Sequence, residues 1–393
     1  MKKVLIVLGK YIQQTEPNGI CMRKIMEEWT NKVEAHIISM ESERQSNLSF
    51  FIHPVYYSMP KNTLAKIFFK IRKFIFAPVA ELNLVNHIRS EITNLCSTNS
   101  FDAVIAVMNP AEAVEAVYRS KKIIGNGKFI LYEIDPASNR YKTPKGVIQK
   151  YWLLRTKHWE RKIYSSADSI IHMKSHQAHY SSPYYSEFRD KTTYMDIPGV
   201  YSPLVEYEKA QHEVKILLYS GAFYPKLREP NFMLESLRDI PKNNYKLVIY
   251  TGQMHNKICF LADKIDLNYS LHPLVPQKDI EKITAEADIL LSVGNKDSDF
   301  LPSKILSYIA TGKPIIHYYF DESDVSLPYL KKYNNSLLIC MSELHDEVTK
   351  KIKEFIDTAS TLQMSFSQIA SAFAENTPKY TSQELYQIIG ELN

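Results

Sequence analysis

Two short stretches of this 393-residue chain bring cations and hydroxyls together at spacings that suit work on a phosphate. The first, YSGAFYPKLREP over residues 219–230, places Lys226 and Arg228 just after an apolar run. The second, DFLPSKILSYIATGKPII over 299–316, places Ser303 and Lys304 beside Pro302. Proline suits the first turn of a helix and Gly312 suits its end, so the spacing predicts a helix between them. Backbone N–H groups near 302–304 would then form an anion site to which Ser303 and Lys304 add donors. Charged donors make short, strong hydrogen bonds to phosphate oxygens. The chemistry this predicts is the binding of an anion at a helix start. The plain alternatives are a solvated basic turn at 226–228 and an ordinary strand–helix–strand unit at 299–316.

Other chemical signatures are missing. IATGKPII holds a Gly-Lys pair, but no glycine lies five residues earlier and Pro314 stands where a Walker loop needs Ser or Thr. The GxGxxG fingerprint of NAD and FAD enzymes is absent, as is the GxSxG nucleophile elbow. His172, His176 and His179 have metal-like spacing, but no Asp, Glu or Cys nearby completes a recognisable zinc pattern. They read as incidental histidines between a strand end and a helix.

These residues must be held by regular elements, and the hydrophobic pattern supplies them twice. Apolar runs at 4–9, 35–40, 101–108, 128–134 and 168–173 read as strands, with helical stretches at 20–30, 110–120 and 144–166. Runs at 214–221, 245–252, 269–274, 287–294 and 313–319 repeat the pattern. Continuous apolar strands alternating with helices predict parallel sheets covered on both faces. The expected architecture is α/β, two Rossmann-like domains facing each other across a cleft. A seam is expected near 197–212, giving domains 1–200 and 201–379. Such sheets bind ligands beyond the carboxyl ends of their strands.

Composition is that of a globular chain, with 45% apolar and 23% charged residues. Four widely spaced cysteines without a CxxC argue against a disulfide framework and for a reducing compartment. The apolar run after Met1 is shorter than a signal peptide core and reads as a first strand. No window reaches the length of a membrane span. The net charge of +5 is uneven: residues 1–200 carry 28 Lys+Arg against 18 Asp+Glu, and residues 201–393 carry 20 against 25. A basic first half implies an anionic partner.

Segment 299–316 resembles the nucleotide-binding segment of GT-B-fold glycosyltransferases, family four of the retaining kind, and in particular the PSK…EY…TGKPII form of bacterial surface-polysaccharide enzymes. In that family two glutamates eight residues apart flank the donor. Counting back from Gly312, their places fall on Asp299, near the transferred sugar, and on Ser307, at the ribose. A serine offers a weaker hydrogen bond than a carboxylate. The resemblance spans most of the chain. It implies that Gly19, in QTEPNGICMRKIMEEW, lets the backbone approach the donor, and that Gly221, Lys226 and Arg228 grip the diphosphate. Main-chain groups at Val275 would meet the base. Asp135, in YEIDPASN, stands where many relatives carry His and faces the donor sugar; a helix-starting Asp is the alternative. Residues 380–392 fit the family's terminal helix, which crosses back to the first domain. No metal or other cofactor is implied.

KNTLAKIFFKIRKFIF, residues 61–76, is a basic amphipathic segment. Leu64, Ile67, Phe68, Ile71 and Ile75 share one face; Lys66, Lys70 and Lys73 lie opposite, with Arg72 at the boundary and Phe69 and Phe76 off the stripe. It reads either as a surface helix with snorkelling lysines or as an interfacial helix on anionic lipid. No nucleic-acid module is apparent.

The expected function is transfer of a sugar from a nucleoside-diphosphate sugar to a lipid-linked or glycan acceptor, with retention and without metal, at the cytoplasmic face of a membrane. The alternatives are a nucleotide-sugar epimerase of the same fold and a catalytically silent nucleotide-sugar-binding subunit, the latter motivated by Ser307.

Overall fold

Period-two burial along the first strand shows how this sequence builds its sheet. In β1 (Lys2–Leu8), Val4, Ile6 and Leu8 enter one apolar cluster and Leu5 and Val7 enter another. Both faces of the strand are therefore covered, as a parallel sheet requires. The structure, a computed structural model, describes residues 1–9, 17–29, 32–41, 51–56, 62–141, 144, 146–202, 212–296, 301–302, 304–358 and 364–390.

The first sheet contains β1, β2 (Val33–Glu41), β3 (Phe51–Tyr56), β4 (Ala103–Val107), β5 (Lys128–Glu133), β6 (Ser169–Met173) and β7 (Thr192–Met195). All pairings are parallel, in the order β3-β2-β1-β4-β5-β6-β7. One face is covered by α1 (Pro17–Glu27), through Met22, Ile25 and Met26, and by the C-terminal helix Pro378–Gly390, through Leu385 and Ile389. Trp29 Nε1 donates to Ser382 O across 3.0 Å, and Lys128 Nζ to Ile389 O across 3.0 Å. The other face is covered by α3 (Leu82–Thr98), α4 (Ala111–Ile124) and α5 (Val147–Ser166). Between β3 and α3 runs α2 (Thr63–Phe76).

The second sheet contains β8 (Lys215–Ser220), β9 (Tyr245–Tyr250), β10 (Tyr269–His272), β11 (Ile289–Val293), β12 (Ile315–Tyr319) and β13 (Ser336–Cys340), parallel in the order β10-β9-β8-β11-β12-β13. This is the doubly wound order in which strand succession reverses beside the first strand, here between β8 and β11. The chain divides into a unit of Met1–Pro198 with Pro378–Asn393 and a unit of Gly199–Thr377.

Each apolar run read from the sequence is a strand. Three further strands, β3, β7 and β13, lie at sheet edges. β3 carries Pro54 and β7 reads TTYM, so neither shows a continuous apolar run, whereas β13 (SLLIC) has one at Leu337–Cys340 that the sequence reading did not take up.

Candidate functional site

The reversal between β8 and β11 opens the carboxyl edge of the second sheet beside Ser220 and Gly294. The helix Lys304–Ala310 follows β11 and buries Ile305, Leu306, Tyr308, Ile309 and Ala310. That burial fixes its rotation and turns Lys304 toward β8, where its Nζ lies 2.6 Å from Ser220 Oγ. Tyr308, one turn on, donates its hydroxyl to Ser220 O at 3.3 Å and accepts from Ser220 N at 3.2 Å. Desolvation pushes the Lys304 ammonium down from its ordinary value to about 8. No carboxylate among the described residues pairs with it.

The loop after β8 supplies the second cation. Tyr224 and Arg228 close a tight turn through N–H···O bonds of 2.8 and 2.9 Å, with Lys226 at its tip in the left-handed region, φ 66°. The turn separates the two basic side chains. Arg228 points inward: Nε and Nη2 donate to Asn295 Oδ1 at 3.1 and 2.7 Å, and Nη1 reaches Ala222 O at 3.5 Å. Lys226 is exposed, and its backbone N–H is held by Glu229 Oε1 at 2.8 Å. Glu229 in turn takes Lys257 Nζ at 2.6 Å. Arg228 and Lys304 therefore flank the Ser220–Ala222 terminus of β8, neither with a carboxylate partner among the described residues.

Gly221 sits between them, and its backbone N–H donates to Tyr250 O at 3.0 Å. A methyl group there would meet Tyr219 Oη at 3.3 Å. Gly294, at the end of β11, cannot carry a side chain, because a Cβ would lie 1.9 Å from Asp324 Oδ2. Asp324 is held by His317 Nε2 at 3.3 Å, both buried. His317, burial notwithstanding, keeps this carboxyl below its ordinary range together with the Ser326 N–H. Asn295, which orients Arg228, follows Gly294 directly.

Val275 lies half-buried in the loop between β10 and the helix Gln277–Glu286. Ser307 Oγ donates to Lys304 O at 2.9 Å, so its proton is spent inside its own helix. Gly312 has φ 73° and a Cβ would lie 2.0 Å from Met364 O, which explains glycine at this helix end. Pro302 precedes the helix and gives its carbonyl to Ile305 N at 3.0 Å, rather than standing in the first turn. Asp299 and Ser303 lie outside the described residues. Lys313, the lysine of the Gly-Lys pair, is a structural tie: its Nζ donates to Ala285 O at 2.9 Å and Ala287 O at 2.5 Å.

On the first sheet, Asp135 lies just past the carboxyl end of β5. Its Oδ1 is 3.1 Å from Nε2 of His176, which is 2% exposed against 37% for the Asp135 side chain. His172 is buried within 3.0 Å of Glu133 Oε2, which also accepts from Tyr164 and Tyr180 at 2.6 and 2.7 Å. Burial drives the Glu133 carboxyl up and the His172 imidazole down, so both favour neutral forms. His179 Nε2 meets Ser138 Oγ at 3.4 Å. The three histidines thus have separate partners, and two of those are acids supplied by the preceding strand, invisible to local spacing. No group of three or more His, Cys, Asp or Glu that could hold a metal ion occurs among the described residues. Gly19 is buried in the first turn of α1, whose Asn18 Nδ2 donates to Met108 O at 3.0 Å.

The amphipathic segment forms α2, but its apolar stripe does not pack inward. Leu64, Phe68, Ile67 and Ile71 are 71%, 66%, 49% and 48% exposed. Lys66 is exposed, Arg72 and Phe69 are half-buried, and Phe76 is exposed. The side chains of Lys70 and Lys73 lie outside the described residues.

No protein-family model matches the chain, and no curated protein does. Among solved structures it is similar to sucrose-phosphate synthase from Thermosynechococcus elongatus, with TM-score 0.67, 11% identity, and 100% of this chain and 99% of that one covered. It is similar to WaaG, a glycosyltransferase involved in lipopolysaccharide biosynthesis, with TM-score 0.59, 12% identity and 98% and 99% covered. It is also similar to a candidate UDP-N-acetylglucosamine 2-epimerase from Listeria monocytogenes, with TM-score 0.56, 14% identity and 98% and 95% covered. Two parallel-sheet α/β domains matched over their whole length give this chain the GT-B fold.

Proposed function

We propose that this chain is a glycosyltransferase that moves a sugar from a nucleoside-diphosphate donor to a lipid-linked or glycan acceptor in surface-polysaccharide synthesis, with retention and without a metal. The observation that carries this reading is the pair Arg228 and Lys304 at the β8–β11 reversal, two cations flanking a strand end with no carboxylate partner among the described residues. A diphosphate supplies that charge, and the pair would hold it most tightly as the sugar leaves. Asn295 and Ser220 orient the two cations. Val275 is assigned to the base, Gly221 to close backbone approach, and Lys226 to the loop rim. Asp299, Ser303 and Ser307 remain assigned to the donor side by family resemblance, and Asp135 to the sugar-transfer step. The basic α2 would set the first unit on an anionic membrane at its cytoplasmic face, where a lipid-linked acceptor is found.

Titration with nucleoside diphosphates, followed by donor turnover with and without membrane lipid, tests the reading. Donor consumed only when acceptor lipid is present supports transfer. The similarity to the Listeria epimerase favours one second reading, in which donor is converted with no acceptor. Tight donor binding without any turnover would leave a binding subunit.

A further inference from the structure

We infer that the membrane-facing surface of the first unit is a two-helix platform, in which the first turns of α5 insert beside α2 into an anionic bilayer. The inference rests on the membrane reading of α2 and extends it to residues that no sequence pattern singled out. Val147, Ile148, Tyr151 and Leu154 of α5 are 83%, 52%, 48% and 68% exposed. Their spacing of one, four and seven residues from Val147 places them on one helical face. Their helix meets α2 through two neighbouring residues, Trp152 and Arg155. Trp152 Nε1 donates to Phe74 O at 2.9 Å, and its ring meets the Phe74 ring edge-on at 5.3 Å. Arg155 Nε caps the end of α2 through Ala77 O at 2.8 Å. Glu112 Oε1 then accepts from Ala80 N and Glu81 N at 2.9 and 3.1 Å, tying the same junction to α4. The two helices are therefore locked together while each leaves an apolar stripe uncovered.

Charge identifies the occupant. Residues 57–76 and 147–159 contain Lys61, Lys66, Lys70, Arg72, Lys73, Lys150, Arg155 and Lys157, and no Asp or Glu. At about 100° per residue, Lys150 and Arg155 fall to either side of the Val147–Tyr151–Leu154 stripe. Basic side chains bordering an apolar stripe place ammonium groups at phosphate level while the stripe enters the acyl region. A second copy of this chain would bring like charges together on the same surface. No helix among the described residues is long and apolar enough to cross a membrane, so the mode is interfacial.

The full chain is tested by flotation with vesicles of phosphatidylcholine and phosphatidylglycerol, and with phosphatidylcholine alone. Wild type is expected on the anionic vesicles. Val147→Ser with Leu154→Ser, and separately Leu64→Ser with Phe68→Ser, should each lower the partition coefficient at least about tenfold, since each removes several inserted methylene equivalents. All four sites are exposed, so folding is spared, and unchanged nucleotide binding checks this. Trp29 and Trp159 are buried, so quenching of fluorescence by brominated acyl chains reports Trp152 at the helix junction. Undiminished binding of the α5 variant, with loss in the α2 variant, overturns the platform and leaves α2 alone. Wild type that ignores anionic vesicles overturns both. A dimer dispersed by the α5 substitutions, without lipid binding, makes the surface a contact between copies and overturns the inference. Donor binding in solution is measured separately, so failure here is distinct from failure of the transferase reading.

Discussion

Lys304 Nζ ends on Ser220 Oγ, 2.6 Å away, so an ammonium in a desolvated position meets a hydroxyl where a carboxylate would neutralise it. Lys313, nine residues on, shows the contrast. Burial pushes both lysines down to about 8, yet Lys313 is held by two backbone carbonyls at the far end of the same strand–helix unit. One lysine ties the fold; in the proposed reading the other keeps its charge for a ligand. Arg228, oriented by Asn295 on the next loop, is proposed to use its charge in the same way.

Replacing Lys304 with Met should separate binding from stability. A charge-assisted hydrogen bond is worth ~1.5–3 kcal/mol, so affinity for a nucleoside diphosphate should fall by about tenfold or more. Removing a desolvated charge should meanwhile raise the stability of the nucleotide-free protein, by about 1 kcal/mol. Thermal melts with and without the nucleotide read both effects. Loss of stability without loss of affinity would make Lys304 a structural residue.

The same lysine gives a pH signature. In the free protein it loses its proton as pH rises through about 8. Bound phosphate favours the charged form, so affinity should hold below that pH and decline above it. Folding shows the opposite trend. Between about 8 and the ordinary 10.5 the unfolded chain binds the proton more tightly, so stability of the nucleotide-free protein rises with pH there. Calorimetric titration across this range, with Lys304→Met as control, should show a slope in wild type and a reduced one in the variant.

Arg228 and Lys226, equal candidates in the sequence, should prove unequal. Arg228→Ala removes the inward guanidinium and its bonds to Asn295, so nucleotide affinity should drop by about tenfold or more. Lys226→Ala removes an exposed cation and should cost less than about threefold. Lys226→Gly should stabilise the turn by up to ~1 kcal/mol, because the position has φ 66°. Equal losses at both positions would mean that the turn rearranges on binding.

How much of this was legible depends on how local the signal is. Strands buried on both faces, such as β4 with all five residues buried, announce themselves as apolar runs. Arg228 stood out because it follows such a run, and Lys304 because it lies beside Pro302 at an expected helix start. Ser220 and Asn295 did not, since an isolated polar residue at a strand end has no pattern; only the pairing of β8 with β11 makes them neighbours. Glu133 and Asp135 were likewise invisible as partners of His172 and His176, because β5–β6 pairing brings together residues some forty positions apart. For α2 the periodicity was plain, but periodicity cannot say whether a stripe faces a core or solvent.

Turnover should survive excess chelator. The reason is the pair Arg228 and Lys304, which in the proposed reading would supply two positive charges to a diphosphate. The loop after β11 does carry Asp297 and Asp299 two residues apart, a spacing that can present oxygens to a divalent ion. Both aspartates lie outside the described residues. Activity lost on chelation and restored by magnesium would therefore overturn the metal-free mechanism, and Asp297→Asn with Asp299→Asn would identify the ligands.

Asp135 offers the sharpest test of the first unit's chemistry. Its carboxylate is part exposed just past the carboxyl end of β5, and the buried His176 lies 3.1 Å from one of its oxygens. A group so held can meet a hydroxyl of the sugar or acceptor without first being ordered. Asp135→Ala should lower kcat by about a hundredfold, the scale of a lost acid–base or positioning contact, while leaving nucleotide affinity within about twofold. His176 is 2% exposed, so the role proposed for it is to hold Asp135. His176→Ala should lower kcat less, by about tenfold, and His176→Gln should recover part of that loss by restoring an N–H donor. A purely structural histidine would behave differently: His176→Ala would lower the melting temperature and leave kcat of the folded fraction intact. If Asp135→Ala turns over normally, the residue is a helix-starting Asp at Ala137–Tyr141, and the sugar-transfer step must be sought at Asp299 instead.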